Sequence, residues 1–226
     1  MSDAAGVPQR AFRLPAGATE IVLVRHGASA DAVPGVRHPL LDGQGDPALS
    51  PVGERQAVAV ADRLEHEPFA KLFVTNLART AQTAAPLAAR RQVKPVVVPE
   101  LREVFLGDWE GGEFRIRNAR HDPESRRVYV EERWDVIPGA ETMDAFAERL
   151  RAGVARIVAV TGPGAVAAAV VHGGVIGELC RQATGSRPFA FIHADNGSLT
   201  RLVIHGDRWR LRSFNDVAHL GGVAAS

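Results

Sequence analysis

Cysteine, lysine and tyrosine are nearly missing from this chain of 226 residues, which has one cysteine, one tyrosine and two lysines. A single cysteine, Cys180, excludes an internal disulfide and a cysteine-based zinc site. It lies in an apolar helical pattern and reads as a core filler. No window reaches the length of a membrane span, and residues 1–18 lack the apolar stretch of a secretory signal. The cytoplasm is therefore the expected compartment. A surplus of charge is missing too: the net charge is +1, so no global field favours nucleic acid or an anionic membrane, and neither is an expected partner. Any anion site must be local. What is present, 46% hydrophobic and 23% charged residues, suits one soluble domain with a sizeable core. That domain is placed at 19–226, after a flexible polar N-terminal arm at 1–18.

Strands and helices alternate along the chain. Glu20-Ile21-Val22-Leu23-Val24 is a short β-branched run that reads as a buried strand. A long loop rich in Gly, Pro and Asp follows, from Asp31 to Pro51; loops of that length inside a domain are functional or mobile. Ser50 caps a helix with Pro51 at its first position, and Ala57, Val60, Ala61 and Leu64 supply its apolar face. Leu72 to Thr75 is a second strand, and Leu77 to Arg90 a helix capped by Asn76 or Thr75. Val96 to Val98 is a third strand. Phe105 to Pro138 has no clean period. Thr142 to Val160 is a helix, Ala165 to Val171 an apolar strand, and a further helix runs to about Thr184. Leu199 to Ile204 and Arg208 to Ser213 read as a hairpin turning at His205-Gly206-Asp207. This order predicts an α/β fold, a three-layer αβα sandwich with a mainly parallel central sheet and an antiparallel edge strand.

Polar groups that a buried strand does not need stand at four strand ends: Arg25-His26-Gly27, Thr75-Asn76-Leu77-Ala78-Arg79, Leu101-Arg102-Glu103 and His172-Gly173-Gly174. Ligands of open α/β sheets bind at the carboxyl ends of strands. Guanidinium forks suit phosphate or carboxylate. An imidazole can act as nucleophile, acid or base near neutral pH. Converged, two arginines, two histidines and a glutamate make a phosphoryl-transfer site: arginines neutralise a dianion, one histidine attacks phosphorus in line, and the glutamate protonates the leaving alcohol.

The motifs that carry a resemblance are Leu23-Val24-Arg25-His26-Gly27-Ala28-Ser29, Gly45 to Gly53 with Gln56-Ala57, Asn76 to Ala84, and Leu101-Arg102-Glu103 with Gly107 to Gly111. Pro138 to Thr142, Val171 to Gly174 and Phe214 to Leu220 complete the series. In this order, over roughly residues 20–220, the chain resembles the histidine phosphatase superfamily, in its phosphoglycerate-mutase-like branch. The resemblance implies a phosphomonoester hydrolase acting on a small phosphorylated metabolite, with His26 as the phosphorylated nucleophile. Arg25, Arg79 and His172 would bind the phosphoryl oxygens, and Glu103 would be the general acid that later activates water. Ser29 and Gly173 join as substrate-binding residues. No metal and no cofactor are implied, and a pocket with two arginines repels cations. The branch often places an asparagine six residues after the nucleophile; here that position is Ala32. Either another loop residue such as Ser29 substitutes, or phosphate is held more loosely.

Two other functions stay open. A phosphoglycerate mutase would return the phosphoryl group to another hydroxyl, but cofactor-dependent mutases follow the acid with Arg-His-Tyr-Gly, where this chain has Val104-Phe105-Leu106-Gly107. A catalytically weak phosphate-binding scaffold is the other. Esterase chemistry is set aside, because no G-x-S-x-G elbow accompanies His172-Gly173-Gly174. His38, His66, His121, His193 and His205 read as loop or surface histidines, His219 as structural, and Asn196-Gly197-Ser198 as turn chemistry. Arg115, Arg117, Arg120, Arg126, Arg127 and Arg133 read as a solvated face. A homodimer is compatible with the sequence, which does not specify oligomeric state.

Overall fold

The computed structural model describes residues 8–223. The first seven residues of the expected arm lie outside the described residues; residues 8–18 form no helix or strand, and Phe12 lies under the Arg212 guanidinium. In chain order the elements are β1 (Thr19–Arg25), β2 (Leu40–Leu41), β3 (Gln44–Gly45), α1 (Pro51–Leu64), β4 (Phe69–Val74), α2 (Ala78–Arg91), β5 (Val96–Val97), α3 (Glu113–Ala119), α4 (Pro123–Val130), α5 (Met143–Thr161), β6 (Val166–Val171), α6 (Gly173–Thr184), β7 (Leu199–His205) and β8 (Arg208–Asp216).

Six strands form one sheet in the order β5-β4-β6-β1-β7-β8. β5, β4, β6 and β1 run parallel, while β7 and β8 add an antiparallel pair beside β1. The sheet is sandwiched because β1 and β6 are apolar on both faces. Ile21 and Leu23 face a core built with Phe146, Leu150, Val154 and Ile157 of α5 and Val175, Ile176 and Leu179 of α6. Val22 and Val24 face the opposite core with Val60, Ala61 and Leu64 of α1 and Ala84 and Leu87 of α2. Period-two alternation thus divides one strand between two helical layers. The three-layer sandwich is as expected, with the antiparallel side formed by two strands. Cys180 is buried, and burial pushes its thiol up to about 12.

Several boundaries differ from the pattern-based expectation. β4 begins three residues earlier, at Phe69, because a register shift between Phe69 and Lys71 interrupts its alternation. The segment from Phe105 to Pro138 holds the short helices α3 and α4, and the Asp31–Pro51 loop contains the β2–β3 hairpin. Ser50 caps α1 as expected, accepting from the Gly53 N–H. α2 is a correction: neither Thr75 nor Asn76 caps it, and Leu77 stands at the cap. The Asp46 carboxylate, from the loop after β3, accepts the Ala78 N–H at 2.8 Å instead. A cap supplied from 32 residues away leaves no local signature.

Candidate active site

β1 delivers His26 to the sheet edge. The ladder continues through His26 N–H to the Val171 carbonyl at 3.0 Å and then stops at Gly27. Glycine is needed there because a Cβ would lie 2.5 Å from the Gly53 carbonyl oxygen, where the loop presses on α1. Three partners pin the loop: Gly27 N–H donates to Thr83 Oγ1 (3.0 Å), Ala28 N–H to Gln56 Oε1 (2.8 Å), and Asn196 Nδ2 to the His26 carbonyl (2.8 Å). Asn196 therefore does more than turn the chain. The His26 ring is set from both sides. Nδ1 lies 2.8 Å from the Gly27 carbonyl, which only accepts, so Nδ1 carries the hydrogen. Arg79 Nε–H points at Nε2 from 3.2 Å. Nε2 is left with its lone pair facing cationic surroundings. Burial, then Arg79 and Arg25, hold the His26 pKa well below the usual imidazole value, so the ring is neutral and able to attack.

Two more polar side chains at this edge have unused capacity. One Arg25 terminal nitrogen donates to the Ala194 carbonyl, but buried Nε has no protein partner among the described residues. His172 lies edge-on to His26, with ring centroids 5.2 Å apart. Its Nε2 meets Thr75 Oγ1 at 3.0 Å, and buried Nδ1 is unpartnered. Burial and Arg79 depress its pKa strongly as well. A buried polar group without a partner costs about 1–3 kcal/mol. Arg25 Nε–H and, with the Thr75 hydroxyl donating to Nε2, His172 Nδ1–H are thus donors that nothing among the described residues uses. Arg79 donates through a terminal nitrogen to the Gly45 carbonyl at 2.9 Å. Burial lowers both guanidinium pKa values, yet arginine keeps its proton in proteins.

Glu103 closes the group from the start of α6. Its Oε2 accepts from Gly174 N–H (3.0 Å) and Oε1 from Val104 N–H (2.9 Å), which fixes the carboxyl group beside the first turn of α6. Its backbone is clamped by Arg149 of α5, which donates to the carbonyls of Glu100 (2.9 Å), Arg102 (2.7 Å) and Glu103 (2.8 Å) and pairs with Glu141. Gln44 also donates to the Glu103 carbonyl, at 2.7 Å. The other carboxylates are occupied or distant. Glu110 accepts from Gly45 and Leu106 N–H groups, Glu20 pairs with Arg201 and Arg212, and Glu54 is exposed on α1. Among the described residues no three His, Cys, Asp or Glu side chains form a metal-sized cluster.

Arg25, His26, Arg79, Glu103 and Gly173 line one cavity of about 360 Å³, and His172 lies beneath it against His26. Five of the seven expected site residues thus line the wall, and His172 supports it from below. Ser29 is not on the wall: it is buried, and its hydroxyl accepts from Arg115, which also donates to the Ala30 carbonyl at 3.0 Å. Arg115 itself lines the cavity, so it is no mere member of a solvated face. Ala32 packs near Gly112, off the wall. His38 and His193 lie in loops, as expected, and also line the cavity. His219 donates to the Gly197 carbonyl at 3.0 Å, a structural role. The missed Arg149 did leave a sequence signal: it sits three residues after Phe146 and four before Gly153, a charge bordering the apolar stripe of α5.

Residues 21–217 match the family model of the histidine phosphatase superfamily (branch 1). A metal-independent phosphoserine phosphatase of Arabidopsis thaliana is 31% identical over 210 residues, covering 91% of this chain and 84% of that protein. A probable phosphoglycerate mutase of Yersinia enterocolitica is 29% identical, covering 89% and 94%. The solved structure of a mycobacterial glucosyl-3-phosphoglycerate phosphatase superposes with a TM-score of 0.71 at 31% identity, over 88% of this chain and 99% of that one.

Proposed function

The chain belongs to the histidine phosphatase superfamily and is a phosphatase, and we propose that it hydrolyses a small phosphomonoester through a phosphohistidine at His26. The observation that carries this reading is the His26 ring: neutral, with hydrogen on Nδ1 and a lone pair on Nε2, beside unpartnered Arg25 Nε and His172 Nδ1. In the first step Nε2 attacks phosphorus, the P–O bond to the leaving group breaks, and protonated Glu103 gives its proton to the departing oxygen. Arg25, Arg79 and His172 hold the equatorial oxygens, where charge concentrates in the transition state. In the second step Glu103 takes a proton from water. The water oxygen attacks phosphorus, the P–N bond breaks, and the lone pair returns to Nε2.

His26→Ala tests the reading. The variant should lose phosphate release and the acid-labile phosphoenzyme trapped in rapid-quench experiments. Retained turnover would remove His26 from the chemistry. The same preparation incubated with 3-phosphoglycerate and bisphosphoglycerate separates hydrolase from mutase: phosphate accumulates in one case, isomerised phosphoglycerate in the other.

A further inference from the structure

The cavity has two chemically different parts. The guanidinium groups of Arg25 and Arg79 surround His26, and the third cavity arginine, Arg115, spends two nitrogens on Ser29 and Ala30. Elsewhere the wall carries an apolar and aromatic group, Leu106, Trp109, Phe114, Tyr129, Trp134 and Ile192, set among polar residues that include His38, Glu110, His193 and Asp195. These rings form a connected array. Phe114 stacks on Trp109 (6.3 Å between centroids) and on Tyr129 (6.4 Å) and meets Trp134 edge-on (5.7 Å); Tyr129, the chain's sole tyrosine, lies nearly parallel to His193. Tyr129 is 40% exposed, whereas Trp109 and Trp134 are buried. An aromatic array with a partly exposed ring, next to a phosphate-sized cationic site, prefers a flat apolar group.

We infer that the leaving alcohol of the natural substrate carries an uncharged ring, seated against Tyr129 and Phe114, and is not a small carboxylate-bearing alcohol. The inference rests on the phosphatase reading above. The volume fits it, since about 360 Å³ holds a phosphoryl group plus a one- or two-ring substituent. Two further carboxylates on the wall, Glu110 and Asp195, would repel a second negative charge on the alcohol.

Phosphate release from 2-phenylethyl phosphate, ethyl phosphate, phosphoserine and 3-phosphoglycerate tests the assignment, because phenylethanol and ethanol are alcohols of similar basicity. Burying one phenyl group predicts a kcat/KM roughly ten- to a hundred-fold above that of ethyl phosphate, with the two carboxylate-bearing esters lower still. Tyr129→Ala removes a partly exposed ring and should shrink the phenylethyl-to-ethyl ratio, mainly through KM; Tyr129→Phe should keep it. Equal kcat/KM for the two alkyl esters, or a preference for phosphoserine or 3-phosphoglycerate, would overturn the ring assignment while leaving the phosphatase intact. A ratio insensitive to Tyr129→Ala would overturn the seat on Tyr129. Absence of phosphate release from all four esters would overturn both.

Discussion

Glycine 174 offers a way to move the general acid without removing it. A Cβ at this position would lie 2.5 Å from Glu103 Oε1 and 3.3 Å from its carboxyl carbon. Non-bonded heavy atoms sit at roughly 3.5 Å, so Gly174→Ala must push the carboxylate back by about 1 Å. The struck atom is the tip of a flexible side chain, so the backbone has no reason to shift. Alanine also favours a helix over glycine by up to about 1 kcal/mol, and Gly174 lies within α6. The substitution should therefore leave Tm unchanged or raised while misplacing the proton donor. Misplacement by an ångström costs on the order of 10²-fold, and only where the leaving oxygen needs the proton. Rapid-quench measurement of His26 phosphorylation should show that loss with ethyl phosphate and a few-fold change with 4-nitrophenyl phosphate, whose anion leaves unaided. Wild-type phosphorylation by both esters would refute the assignment of Glu103 as acid. Equal losses on both would mean that the methyl obstructs the phosphoryl group itself.

Three further outcomes follow from the same geometry. Arg79→Lys loses the Nε–H that points at His26 Nε2 and the planar fork, so its kcat/KM should fall roughly 10²–10³-fold, close to Arg79→Ala; a near-native lysine variant would reduce Arg79 to diffuse charge. Arg149→Met unclamps the Glu103 backbone and strands the Glu141 carboxylate; denaturant titration should show a loss of about 2–3 kcal/mol, discounted for partial exposure, and kcat should drop more than KM. His26 and His172 both have depressed folded-state pKa values, so the unfolded chain takes up their protons first as pH falls. Stability should be full above the ordinary imidazole pKa of about 6.5 and decline below it; urea titrations from pH 7.5 to 5.5 that showed rising stability would contradict this.

The legible part of the site is the part attached to regular strands. Arg25-His26 and His172 follow runs that alternate between two cores, so their emergence at one sheet edge is a matter of register. Glu103 follows the short strand β5 through a single helical turn. Arg115, Tyr129 and Trp134 were not legible, because α3 and α4 are too short for a helical period and their docking is decided by tertiary contact. The same holds for Asp46 capping α2 and for Asn196 on the His26 carbonyl, each joining segments far apart in sequence. Ser29 shows the converse: a residue type suited to phosphate, spent instead on a neighbouring arginine.

The central place of β1 bears on how the chain reaches its working form. Thr19–Arg25 hydrogen-bonds to Val166–Val171 on one side and to Leu199–His205 on the other, and the His26 loop is fastened by Asn196. The strand made earliest thus waits for partners made among the last. Loop closure over such separations slows folding, so during synthesis the apolar Ile21–Val24 segment stays unpaired until the final quarter of the chain emerges. A nascent chain stopped before β6 should carry every arginine and histidine of the phosphate site except His172, with no strand beside β1 to hold them together. It is then a candidate for chaperone capture rather than a weaker phosphatase.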